Sequence, residues 1–170
     1  AESGTGLLTF NISNLAVPTR TATFGITQGP FSVGVSGSYA YVGDWNTGLK
    51  IFDLSNPAVP TLRSTFNSGE TRGIFLSGSY AYLANGPYNS FEIVSVSNIA
   101  SPTYVGIFST SAWAEDVFVS GVYAYVAEQT GGLVIVNISN HAMPTPIGVL
   151  DTAGGVREVV VSGVYAYVAD

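Results

Sequence analysis

Ser120–Asn140 reads SGVYAYVAEQTGGLVIVNISN, and this stretch decides the fold. Tyr123–Ala127 and Leu133–Ile138 are short runs of Val, Ile, Leu, Ala and Tyr separated by a Gly-containing loop. Such runs, bounded by Gly, Ser and Asn, read as two β-strands joined by a turn. The same pattern recurs along the chain. Ser-Gly-x-Tyr-Ala-Tyr starts at Ser36, Ser77, Ser120 and Ser162, at spacings of 41, 43 and 42 residues. Ser-Asn-x-x-x-Pro spans Ser13–Pro18, Ser55–Pro60, Ser97–Pro102 and Ser139–Pro144, 42 residues apart each time. Two landmarks with one period make the chain a repeat array.

Each repeat predicts four strands. The first precedes Ser-Gly: Phe31–Val35, Arg72–Leu76, Glu115–Val119 and Arg157–Val161. The second is the Tyr-Ala-Tyr run. The third is Leu7–Ile12, Leu49–Leu54, Phe91–Val96 and Leu133–Ile138. The fourth follows the turn: Arg20–Phe24, Leu62–Phe66, Tyr104–Phe108 and Pro146–Leu150. No window has the 3.6-residue apolar period of a helix. The first and third strands are apolar on both faces at many positions, so neighbours must cover both faces. Four-stranded sheets at this period describe an all-β fold, a β-propeller of four blades in one domain over residues 1–170. The fourth blade is expected to be composite. Residues 156–170 give its inner half and residues 6–24 its outer half, from the same chain or from a neighbouring copy. Val168-Ala169-Asp170 would then run toward Gly4-Thr5-Gly6-Leu7 as Val42-Gly43-Asp44 runs toward Leu49.

The bulk numbers narrow the partners. Of 170 residues only 9% are charged, against a usual ~25%, while 46% are hydrophobic. That composition leans toward an extracellular or cell-surface protein. The net charge is −6, and the five basic residues are scattered, so nothing clusters to neutralise a nucleic-acid backbone. No apolar run reaches the ~20 residues of a membrane span. There is no cysteine, which excludes disulfides and thiolate metal sites. Ala1-Glu2-Ser3-Gly4 carries no secretion signal.

Gly132-Leu133-Val134-Ile135-Val136-Asn137-Ile138-Ser139-Asn140 resembles the LVIVD-repeat family, with Asn137 where the motif has Asp. Gly48–Pro57 keeps that Asp at Asp53, and Ser120–Ala127 is similar to the preceding part of the family's repeat. The resemblance covers essentially the whole chain. It implies a β-propeller of bacterial or archaeal surface or secreted proteins, with no common activity and no catalytic residues to carry over. Ser95, Asn11 and Asn137 stand at the Asp position and argue against a shared metal or catalytic role there.

The repeats assign the candidate sites. One rim carries the near-invariant Ser-Gly and Ser-Asn turns, which are structural. The other rim differs in every repeat and includes the loops Gly25–Pro30, Asn67–Thr71, Ser109–Ala114 and Asp151–Val156. Its Phe31, Asp44, Trp45, Tyr88 and Trp113 are candidates for binding a sugar or a protein, or else pack loops onto sheet tops. At the pore mouth, Arg72, Glu115, Asp116, Arg157 and Glu158 either bind a polar ligand or pair with one another between blades. Glu115 and Asp116 are adjacent, so they point to opposite faces of a strand and do not form a glycosidase pair. The lone His141 lies in a turn of the structural rim and is expected to be exposed. Asp44–Gly48 lacks the acidic density of a calcium loop, and no metal or cofactor is expected. Asn11 and Asn137 begin glycosylation sequons, or bond the following turn. The expected function is a non-enzymatic scaffold or self-assembly module. The alternative is a lectin-like or protein-binding propeller, and a pore-mouth hydrolase is least favoured.

Overall fold

The computed structural model describes residues 6–25 and 29–170. Every element among them is a β-strand. Three antiparallel four-stranded sheets form in chain order. Sheet I contains β3 (Pro30–Ser36), β4 (Tyr39–Asp44), β5 (Gly48–Asp53) and β6 (Thr61–Asn67). Sheet II contains β7 (Gly73–Ser77), β8 (Tyr80–Asn85), β9 (Ser90–Ser95) and β10 (Thr103–Ser109). Sheet III contains β11 (Ala114–Ser120), β12 (Tyr123–Glu128), β13 (Gly132–Asn137) and β14 (Thr145–Leu150). The expected fourth sheet is divided. β1 (Leu7–Asn11) pairs only with β2 (Thr19–Phe24), and β15 (Glu158–Ser162) only with β16 (Tyr165–Ala169). The two halves do not join within the chain. The proposed Gly4-Thr5 connection and residues 26–28 of the Gly25–Pro30 loop lie outside the described residues.

The turns behave as their composition requires. Gly37, Gly78, Gly121 and Gly163 adopt φ of 56°, 56°, 59° and 60°, a left-handed conformation that a side chain would strain. Asn14, Asn56, Asn98 and Asn140 each accept the N–H two residues on at 3.1 Å, which closes the Ser-Asn turn. Three residues before the turn asparagine, Asn11 and Asn137 accept the N–H groups of Ser13 and Ser139 at 2.9 Å. Asp53 does the same for Ser55 at 2.8 Å. The Ser55 N–H, with the Ser55 hydroxyl, holds the Asp53 carboxyl below the ordinary value. The Asp/Asn position of the repeat is therefore a turn clamp.

Packing runs between sheets. Phe75, Tyr82, Phe91 and Ile93 of sheet II meet Val117, Val119, Val126 and Val134 of sheet III in one apolar cluster, with Phe75 and Phe118 rings 4.8 Å apart. Sheets I and II share Tyr41, Leu49, Ile51, Ala81, Leu83 and Val94. Half-sheet β15–β16 packs Val159, Val161 and Val168 onto Ala127 and Leu133 of sheet III. Half-sheet β1–β2 packs Leu7 and Phe24 onto Val42 and Phe52 of sheet I. The inner strands β3, β7, β11 and β15 stand side by side in that order.

Candidate functional site

The variable rim is organised by Arg72. Its Nε donates to Glu70 at 2.7 Å, and its NH1 donates to both oxygens of Glu115 at 2.9 and 2.8 Å. The guanidinium lies 5.2 Å from the centre of Phe31 and 4.8 Å from that of Trp113. Trp45 continues the row, 6.1 Å from Phe31. Burial alone would lower the pKa of Arg72, but Glu115 and Glu70 raise it above its ordinary value, so it stays charged. Arg157 reaches Glu115 at 3.7 Å and is largely exposed. Phe31 and Glu115 of β3 and β11 therefore gather with Arg72 and Arg157, which immediately precede β7 and β15. Within this chain they pair with one another.

Two of these side chains owe their direction to bulges. Pairing slips between Pro30 and Ser32 in β3 and between Ala114 and Asp116 in β11. Phe31 and Glu115 are the extra residues, and a bulge re-aims the residue it inserts. Asp116 points elsewhere: its Oδ2 accepts the Val159 N–H at 3.1 Å and ties β15 to sheet III. Burial pushes its carboxyl above the ordinary value. Glu158 is exposed and lines a groove beside β16.

The last position of the second strand in each of sheets I, II and III holds a loop clamp. Asp44 is fully buried. Its Oδ1 accepts from the Asn46 N–H and from the N–H and hydroxyl of Thr47 at 2.8–3.0 Å, and Lys50 pairs with Oδ2 at 2.8 Å. Burial would raise its pKa, but these four contacts hold it low. In sheet II the equivalent Asn85 accepts from the Thr71 hydroxyl at 2.8 Å. In sheet III, Glu128 accepts from Ser111 N–H, Ser111 hydroxyl and Ala112 N–H at 2.9, 2.5 and 3.2 Å. The signal was the recurrence of a polar residue at positions 44, 85, 128 and 170. Asp44 thus serves its own loop, whereas Trp45 and Tyr88 are exposed.

His141 departs from its expected exposure. Its ring stacks on Tyr80 at 4.3 Å, and its Nε2 is 2.9 Å from the Tyr82 hydroxyl. The turn of sheet III thereby seats itself on sheet II. Among the described residues no group of His, Asp and Glu is arranged to hold a metal ion. None of them forms a helix long and apolar enough to cross a membrane.

Each half-sheet leaves an open groove. One of about 300 Å³ lies among Leu7, Leu8, Phe10, Pro30, Val33 and Val42. The other, about 290 Å³, lies among Glu158, Val160, Tyr167, Val168 and Ala169.

These features define a repeat protein of antiparallel four-stranded sheets, joined face to face through apolar cores. The LVIVD repeat model matches residues 31–68, 68–110, 113–152 and 153–170, so the chain belongs to the LVIVD-repeat family. No curated protein matches it. Among solved structures it is similar to the computationally designed Ika8 protein, with a TM-score of 0.71 and 5% identity over 88% of this chain and 46% of that one. It thus spans about half of Ika8. It is also similar to the computationally designed Ika4 protein, with a TM-score of 0.69 and 7% identity over 85% of this chain and 86% of that one. At such identities the likeness concerns the fold alone.

Proposed function

We propose that this chain is a non-enzymatic structural module of β-propeller type, working extracellularly or at the cell surface, that assembles by completing its divided sheet. One observation carries the reading: β1–β2 is an outer half-sheet and β15–β16 an inner half-sheet, each beside an apolar groove. Unpaired strand edges template pairing with another strand unless they are protected. Neither half carries a proline or an inward charge on its free edge among β1 and β16. The non-enzymatic part is supported by the commitment of polar groups to structure. Glu115 is spent on Arg72, and the one histidine on Tyr80 and Tyr82. The low charge of the chain supports the surface location. Light scattering across a concentration series tests the assembly: mass should rise above 17.7 kDa, and Tyr167→Asp should abolish the rise. A mass fixed at 17.7 kDa at every concentration removes the reading.

A second reading rests on the row Trp45–Phe31–Arg72–Trp113. Such a rigid aromatic platform suits the face of a sugar or an apolar protein side chain. Binding on a glycan array that Trp45→Ala and Trp113→Ala both weaken would support it. An array without signal would count against the sugar version.

A further inference from the structure

Each contact between consecutive repeats is built by the same rules, and the rules name what is missing. At the sheet II–III contact, His141 of the sheet III turn stacks on Tyr80 and bonds Tyr82 of sheet II. The same turn presses its His141 carbonyl and Ala142 backbone against Gly106 of β10, where a Cβ would collide with them. At the sheet I–II contact, Ile99 occupies the His141 position and packs against Tyr39 and Tyr41. Its carbonyl accepts a hydrogen bond from Ser64, at the Gly106 position, at 2.6 Å.

Applied to sheet III, these rules call for a turn on Tyr123, Tyr125 and Gly148. No turn lies there. Tyr123 is 38% exposed, and a Cβ at Gly148 would meet nothing nearer than Ile135 at 3.9 Å. Of the two remaining turns, that of sheet I has Pro57 at the Ile99 and His141 position, and that of the β1–β2 hairpin has Leu15, which is 82% exposed. The cradle and its occupant are both present and both empty-handed. The sheet register says the same. Tyr41 lies opposite Ile51, Tyr82 opposite Ile93 and Tyr125 opposite Ile135. By that register Tyr167 lies opposite Thr9, and Val160 and Tyr167 cover Val33 and Val35 of sheet I.

We propose that the occupant is the β1–β2 hairpin of a second copy of this chain, and that two copies complete each other in a closed ring. The inference rests on the assembly reading above. The chain's own hairpin is seated on sheet I, and β15 makes no contact with β3 comparable to the β3–β7, β7–β11 and β11–β15 contacts. A second copy completes both half-sheets without bringing β15 of one chain against its own β3. Two copies give six whole sheets and two composite ones. That lies within the four to eight blades typical of propellers, and three copies would exceed it.

The chain has no cysteine, so a single pair can be introduced cleanly. One tagged copy carries Tyr167→Cys and an untagged copy carries Thr9→Cys. Mild oxidation of the mixture should give a mixed disulfide dimer as the main product, several-fold more than the register-shifted pair Tyr167→Cys with Phe10→Cys. Adding Gly148→Val to the Tyr167→Cys copy should cut the yield at least tenfold without moving that copy's melting temperature at low concentration. A copy carrying both cysteines should give a cyclic dimer. A disulfide formed only within one chain, or an open ladder of products, overturns the two-copy ring. If light scattering shows association while the mixed disulfide does not form, the inference fails and the assembly reading stands. If nothing associates, both fail.

Discussion

Repeats one and three place valine at the same two positions of their inner strands, with opposite outcomes. Val117 and Val119 are 2% and 7% exposed, because sheet II covers them. Val33 and Val35 are 50% and 63% exposed, because among the described residues no inner strand pair lies on that side of sheet I. Sequence pattern alone cannot separate the two pairs. What separates them is whether a neighbouring sheet is whole. Burying a valine side chain contributes about 1.5–3 kcal/mol, so the uncovered pair, together with Val160 and Tyr167, is a substantial driving force left unused by one chain.

Substitutions that strike one side of this comparison should be costly and their counterparts cheap. The largest contrast is between two glycines at one repeat position. Gly106→Val forces a side chain into the turn backbone at His141 and Ala142 and should cost about 3 kcal/mol of unfolding free energy, the upper range for overpacking. Gly148→Val meets open space and should cost less than about 0.5 kcal/mol in dilute protein. Urea titrations of both variants measure the difference.

Next in size is the valine pair itself. Val117→Ala should cost about 2 kcal/mol through lost burial and a cavity. Val33→Ala should cost under about 0.5 kcal/mol in dilute protein. Its cost should grow at concentrations where copies associate, and equal costs at both positions under dilute conditions would contradict the comparison.

Smaller effects come from two carboxylates of opposite character, Glu92, which is half-buried, and Asp44, which is buried. Burial raises the pKa of Glu92 against a hydrogen bond with Asn85. The folded state therefore binds its proton more tightly than the unfolded one, and stability falls as pH rises through that raised value. Glu92→Gln should melt higher than the parent at neutral pH and lose the advantage in acid. Asp44 is the reverse case. Its depressed value supplies stability above the unfolded carboxylate value of 3.8, and this is lost as pH falls through its folded value. Asp44→Asn should melt lower at neutral pH, with the gap closing in acid. Melting curves from pH 3 to pH 7 test both signs.

Much of this molecule was legible in one period. Tyr-Ala-Tyr and Ser-Asn-x-x-x-Pro fixed the strands to within a residue or two, because each strand needs β-branched and aromatic residues and each turn needs Gly, Asn or Pro. That residues 6–24 and 156–170 are the two halves of one sheet was legible for the same reason; that these halves stay apart within one chain was not. The bulges were not, since a single extra residue at Phe31 or Glu115 leaves no mark on a pattern of alternating residues. His141 was read as exposed because its neighbours in sequence are turn residues; the rings that cover it, Tyr80 and Tyr82, lie about sixty residues away, across a sheet boundary. Asp44 was visible as a rim residue, but its burial depends on Lys50 and Thr47 folding back over it.

Amide hydrogen exchange of β1 and β16 across a concentration series tests the central claim most directly. The free edges of these strands should exchange fast in dilute protein and become protected as copies associate, approaching the protection of β8 and β9, the equivalent pair in whole sheet II. Association that leaves β1 and β16 exchanging as fast as in dilute protein would contradict completion of the divided sheet.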